Sequence, residues 1–272
     1  MMNSFYENRL YCFWLLKKFY NIEIYIFYLK KIYNKIFKKK KISLIKNYKI
    51  KLSDISIPKN FETSNRRFND NFRFKKYIKL ATKTIIFKND INWNLSFEDN
   101  EDTESIHRFN WLYGFLYNNP QSKYINWISR QEDIWNRKFI QGKQIKKKTL
   151  IWEQYTVSER ISNLLIYHFL FNKRITNTNI NSYISRLNYL IHNLEFYEDK
   201  TGNHYFNNLR SLYIASCVLD IISIKKIIIK EILIQLDHIL TEEYFLREGS
   251  SHYHFLFTRW LLEIYIFSNE FN

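Results

Sequence analysis

Glycine is nearly absent from this 272-residue chain, which has four, and proline and cysteine occur only twice each. Proteins average about 7% glycine and about 5% proline, so left-handed backbone and rigid turns are rationed here. Cys12 and Cys217 lie far apart in sequence with no metal or redox spacing, which excludes a disulfide framework. Long hydrophobic runs are missing as well. The apolar stretch over residues 10–29 is broken by Lys17, Lys18 and Glu23, which leaves it short of a membrane-spanning helix. No small-residue cleavage site follows an apolar core, so no signal peptide is expected. Negative charge is also scarce: 26 acidic residues face 42 basic ones, for a net charge of +16. Such a surface attracts nucleic acid, anionic lipid or acidic polysaccharide. The lysines run along the whole chain and no DNA or RNA motif appears, which argues against a specific nucleic-acid partner. Ile, Lys, Asn, Tyr and Phe are the residues that an AT-rich coding sequence favours, so part of the charge is compositional.

What is present is a core. The sequence is 46% hydrophobic and 19% aromatic, which excludes general disorder and suits one large domain or one domain with an extension. Residues 1–50 read as a basic, aromatic helical extension, either packed on the body or lying on a membrane surface. Residues 51–105 read as an irregular connector, with Pro58, a polar stretch over 60–71 and an acidic run over 98–104 all marking loops. The run 84–87 fits an isolated strand or a buried turn. From about residue 106 to 272 the periodicity is helical, and the expected class is all-α.

Five consecutive helices are expected in that stretch. Thr156-Val157-Ser158-Glu159 fits a capping box and predicts a helix from about residue 157 to 171. Ile180, Tyr183, Ile184, Leu187, Leu190, Ile191 and Leu194 form one helical stripe. Further helices are expected over about 204–222, 224–244 and 252–267. Short joints make these antiparallel hairpins, so the first, third and fifth helices begin at the same end. Helix N-termini carry partial positive charge and unpaired N–H groups, which suits that end to an anion such as a carboxylate.

Two of the four glycines, Gly202 and Gly249, sit in the polar turns Thr201-Gly202-Asn203-His204 and Glu248-Gly249-Ser250-Ser251-His252-Tyr253-His254 at that shared end. Read with Trp152-Glu153-Gln154-Tyr155-Thr156-Val157-Ser158-Glu159-Arg160-Ile161, with Asn208 and Leu212, and with Asn92-Trp93-Asn94 and the aromatic block over 109–117, the ordered set resembles the helical half of the heparinase II/III family, related to alginate and oligoalginate lyases. The resemblance spans about residues 85–268. It implies an incomplete (α/α) toroid and cleavage of uronic-acid polysaccharide by β-elimination. In that chemistry the C5 carboxylate is neutralised, the C5 proton is removed and the leaving O4 is protonated.

By resemblance, Asn203 matches the residue that binds the carboxylate, His204 the neighbour that assists neutralisation or proton removal, and Tyr253 the catalytic tyrosine. Trp152, Tyr155, Arg160, Asn208, Glu248 and His254 are the expected substrate-binding positions. His252, His254 and Arg247 are placed by sequence to lower the Tyr253 pKa. Members of the family continue into a β-sandwich that adds site residues and can hold a metal. This sequence is expected to lack that domain, and hence to bind acidic polysaccharide, to rely on a separately encoded β-sandwich partner, or to be a vestigial module. No cofactor or metal is expected in the helical part. The family implies a periplasmic or cell-envelope setting, whereas the missing export signal leaves the cytoplasm open.

Bland alternatives accompany each residue. Asn203 fits a helix cap, His204 an exposed first-turn residue, and Tyr253 a core aromatic among 21 tyrosines. His204 with His252 and His254 could ligate a metal, but an H-x-H pair at a helix start turns its rings to different faces. A glycoside hydrolase needs two opposed carboxylates. Glu195, Glu198 and Asp199 crowd one turn and read as a solvated helix end.

Overall fold

The computed structural model describes residues 49–50, 77–87, 89–118, 122–141, 149–171, 173, 175–196, 202–247 and 249–271. The expected extension apart from residues 49 and 50, the polar stretch over 60–71, and Glu198, Asp199, Thr201 and Glu248 lie outside the described residues.

The described part opens with a small antiparallel hairpin, β1 (Tyr77–Lys79) and β2 (Thr84–Ile86), in register Tyr77↔Ile86 and Lys79↔Thr84. The run over 84–87 is therefore a paired strand, and it is Ile78 and Phe87 that turn inward. The hairpin turn is tied to the next element. Asp102 accepts from the Thr82 amide (2.8 Å), the Thr82 hydroxyl (2.5 Å) and the Lys83 amide (3.3 Å).

Asp102 belongs to α1 (Asn100–Arg108), capped by Asp99 through its bond from the Glu101 amide. The acidic run expected as a loop is thus the cap and first turn of a helix. Carboxylates there are favoured by the helix dipole and by orphan N–H groups. Next come α2 (Trp111–Asn118) and α3 (Ser122–Asn136), which runs on as a π-turn over Arg137–Gln141. A 3-10 turn, Leu150–Trp152, leads into α4 (Gln154–Leu170).

The remaining helices are α5 (Asn177–His192), α6 (Asn203–Val218), α7 (Ile222–Ile239) and α8 (Ser251–Glu270). The five expected helices are present with shifted ends. The helix carrying the Ile180–Leu194 stripe, expected to run on to near Gly202, stops at His192. The helix at 154 starts three residues early, because Glu153 caps it by accepting from the Tyr155 (3.1 Å) and Thr156 (2.7 Å) amides. Thr156 and Glu159 are occupied elsewhere: Arg108 Nε donates to Thr156 Oγ1 at 3.1 Å, and Glu159 pairs with Arg210 at 2.8 Å.

Helix α6 is the centre of the bundle, buried at every position from Tyr205 to Val218. A helix apolar or paired all round can be covered on every side, and here α4, α7 and α8 supply the cover. Ring contacts show the directions. His168 meets Tyr183 and Trp152 meets Tyr189, so α4 and α5 are antiparallel. Tyr155 meets His204, Ser158 meets Asn208 and Glu159 meets Arg210, in ascending order along both helices, so α4 and α6 are parallel. Phe169 against Phe267 and Glu159 against Arg259 run α8 the same way. The starts of α4, α6 and α8 therefore share one end of the bundle, as the hairpin argument requires. No helix among the described residues is long and apolar enough to cross a membrane.

Candidate functional site

At that end the chain enters α6 through Gly202, which occupies the N-cap position with no side-chain cap bond. Asn203 is thus the first helical residue and not the cap. Its half-buried amide makes no hydrogen bond among the described residues. His204 follows with its side chain 52% exposed.

The His204 ring is held on two sides. Its Nδ1 lies 2.9 Å from Glu195 Oε1, and its face lies 4.8 Å from the Tyr155 ring. The bond to Glu195 raises the His204 pKa, against the opposing effect of partial burial and with help from the Glu195 and Glu153 charges. Glu195 is itself buried, with three bonds to its neighbours. Beyond His204 it reaches Asn208 Nδ2 at 3.3 Å, and its amide donates to Asn208 Oδ1 at 3.0 Å. Asn208 Nδ2 also donates to Ser158 Oγ at 3.0 Å. Glu195 was read from sequence as part of a solvated helix end. That reading is corrected: α5 stops at His192, so Glu195 falls in the return segment and turns inward onto α6.

Tyr155 stands between the ends of α4 and α6. The Arg108 guanidinium lies over its ring at 4.8 Å, Trp260 of α8 approaches at 6.3 Å, and burial pushes its pKa up. Arg108 in turn is paired with Glu101 at 2.5 Å and with Glu104. Trp260 carries the geometry to Tyr253. Residues 253, 257 and 260 recur at i, i+4 and i+7 along one face of α8. Phe257 and Trp260 on that face meet Phe206 of α6 at 5.1 and 6.3 Å. Tyr253 continues the same face toward the open end, about 10 Å along the axis from Trp260 at 1.5 Å per residue, and it is 38% exposed.

The turn before Tyr253 needs its glycine. Gly249 has φ +67°, a left-handed conformation that costs other residues about 1–2 kcal/mol. Ser250 then caps α8 by accepting from the Tyr253 amide at 3.4 Å. The three groups expected to act on the Tyr253 hydroxyl divide. His252 meets the Tyr253 ring at 5.8 Å, whereas His254 stacks on Phe245 and Arg247 donates to the carbonyls of Leu240 (3.0 Å) and Asp237 (3.4 Å). Arg247 is thus spent on closing the end of α7.

Of the expected substrate contacts, Tyr155 reaches the open end and His254 lies at the start of α8. Trp152, Arg160 and Asn208 are buried. Arg160 donates to the His107 (3.0 Å) and Ile151 (2.9 Å) carbonyls and lies over Trp135 at 4.1 Å. All three side chains pack beneath the shared end of α4, α6 and α8. Glu153, Glu195 and His204 offer ligand atoms within 4.8 Å of one another, the one such trio among the described residues. Both Glu153 oxygens already accept backbone N–H bonds, and two helix N-termini add positive potential. Within the trio His204 and Glu195 are hydrogen-bonded to each other, while Glu153 is taken up by the start of α4.

No protein-family model and no curated protein sequence matches the chain. The structure is similar to heparan sulfate lyase HepC from Pedobacter heparinus, with a TM-score of 0.51 at 17% identity over 85% of this chain. A mutant of that lyase gives a TM-score of 0.52 at 18% identity over 89% of this chain. In both cases the chain spans 40% of the length of the lyase. The helical domain described here is heparinase-like in fold.

Proposed function

We propose that this chain is polysaccharide lyase-like and that its end bearing Asn203, His204 and Tyr253 engages a uronic-acid polysaccharide for β-elimination. The observation that carries the reading is the convergence of three helix starts, α4, α6 and α8, each presenting a proton-holding or amide side chain to one solvent-facing end. The heparinase-like fold supports it, as does a net charge of +16. The hairpins are read as part of an incomplete (α/α) toroid.

The assignment follows from chemistry. A uronate C5–H becomes acidic when its carboxylate is neutralised. Asn203, whose side chain makes no hydrogen bond among the described residues and which stands at a helix N-terminus, is the group to hold that carboxylate. Proton removal from C5 forms the C4=C5 double bond as the C4–O4 bond breaks, and O4 leaves with a proton. His204 and Tyr253 are the groups able to exchange those protons. The test is the ultraviolet absorbance of the unsaturated uronate, measured on a panel of heparan sulfate and other uronate polymers, with Tyr253→Phe as the control. Because the lyases it resembles are longer, the panel is run on this chain alone and with a β-sandwich domain added.

A non-catalytic reading has its own observation. Tyr155 and Tyr253 are partly exposed aromatics on a basic protein, an arrangement that holds a sugar ring without cutting it. Salt-sensitive binding of the polymers with no absorbance change in either condition selects that reading.

A further inference from the structure

We infer that Glu195 is the positioning residue of this site: it fixes His204 with Nδ1–H toward the protein and Nε2 toward solvent, the orientation in which the imidazole can exchange a proton with a bound ligand. The inference rests on the reading of His204 as a proton-exchanging group and adds the residue that sets its tautomer.

The geometry is that of a carboxylate–imidazole pair. A buried carboxylate accepting from one ring nitrogen holds the other as the free lone pair and strengthens its basicity. Glu195 Oε1 lies 2.9 Å from Nδ1, and Nε2 makes no hydrogen bond among the described residues. The carboxylate cannot swing away. Its second oxygen and its own amide are both held by Asn208, and Asn208 is pinned to Ser158 of α4. One buried amide thereby registers the return segment, α4 and α6 against each other, with His204 at the outer edge.

Other groups face the ring. Glu153 and Tyr155 come from the start of α4, Glu104 and Arg108 from α1, and the N-terminal dipole from α6 itself. Glu153 and Glu104 favour the imidazolium, while Arg108 and the helix dipole oppose it. Glu195 alone among these carboxylates is hydrogen-bonded to the ring. It therefore sets the tautomer, which a distant charge cannot do.

The experiment is a nitrogen-15 and carbon-13 NMR titration of the histidine rings in the full chain, with His204 assigned by His204→Gln. In the wild type we expect the neutral His204 ring to carry its proton on Nδ1 and to titrate above the ordinary histidine value of about 6.5. In Glu195→Gln we expect its proton affinity to fall about tenfold, and in Glu195→Asp to be partly restored. A wild-type ring protonated on Nε2, or a midpoint unmoved in a folded Glu195→Gln, overturns the inference. The wild-type tautomer needs no variant to fold, and neither measurement needs a substrate, so a failed lyase assay leaves this result standing on its own.

Discussion

Tyr244 shows what glycine scarcity costs at the level of single residues. It has φ +65° and is 79% exposed, so its ring gains little from burial while its backbone occupies a region that glycine enters freely. Tyr244→Gly should raise stability by about 0.5–1 kcal/mol, the relief of left-handed strain less the larger entropy that glycine loses on folding, read from chemical denaturation midpoints. Gly249→Ala should lower it by about 1 kcal/mol through backbone strain alone, since an added Cβ meets nothing within 4 Å. The same residue scale carries the chemistry. If elimination occurs, Tyr253→Phe should reduce its rate by about 10²–10⁴-fold, the usual worth of a proton-transferring group, with little change in polymer binding. Asn203, His204 and Tyr253 are candidates that a sequence reading reaches, because they stand in order around two glycine turns. Glu195 was not. Its role depends on the chain turning inward after His192 to meet Asn208, a contact that no local pattern announces.

Among the elements, α6 pays for its complete burial with a set of charges it has to satisfy. Arg210 is fully buried between Glu159 of α4, at 2.8 Å, and Glu263 of α8, at 2.5 Å, with Asn207 at 2.6 Å. Burial would raise the Glu159 pKa, but Arg210 and Arg259 outweigh it and hold the carboxyl below its usual range. Removing one partner of such a set leaves uncompensated buried charge, so Arg210→Met should cost about 3–5 kcal/mol in thermal or denaturant unfolding. Acid should weaken the α1 region separately. His107 accepts from Trp135 Nε1 at 3.1 Å, and burial, followed by the Arg160 and Lys138 charges, pushes its pKa down to about 3. Its folded value is depressed, so the unfolded chain binds the proton more readily. Stability from this group should be intact above about 6.5 and fall by about 1.4 kcal/mol per pH unit from there down to about 3. His204 has the opposite sign: its raised value favours the folded state at low pH, and that contribution fades as pH rises through the folded value. A His107→Gln variant with a flatter acid limb in a stability–pH profile is the expected result. Helix existence was legible here from apolar periodicity, and helix ends were not. The Thr156 box lost to Glu153 because Thr156 and Glu159 found partners, Arg108 and Arg210, about 50 residues away in sequence.

At the largest scale, hydrophobic spacing sufficed to give, over the described residues, a mostly helical bundle with α4, α6 and α8 starting together. Compositional bias hid the packing: with 21 tyrosines and 23 phenylalanines, aromatic content alone does not tell that Trp260 lies against both Tyr155 and Phe206. The net charge is legible too, and it carries its own expectation. Binding of an acidic polymer should weaken steeply between low and physiological salt, since exposed charges are screened beyond about 8–10 Å there. The most direct test of the central claim is the absorbance of unsaturated uronate released from heparan sulfate and related polymers by the wild type and Tyr253→Phe, alone and with a β-sandwich domain. The account predicts a signal in the wild type that Tyr253→Phe loses. Equal signal from both proteins, or none from either in every condition, would contradict it.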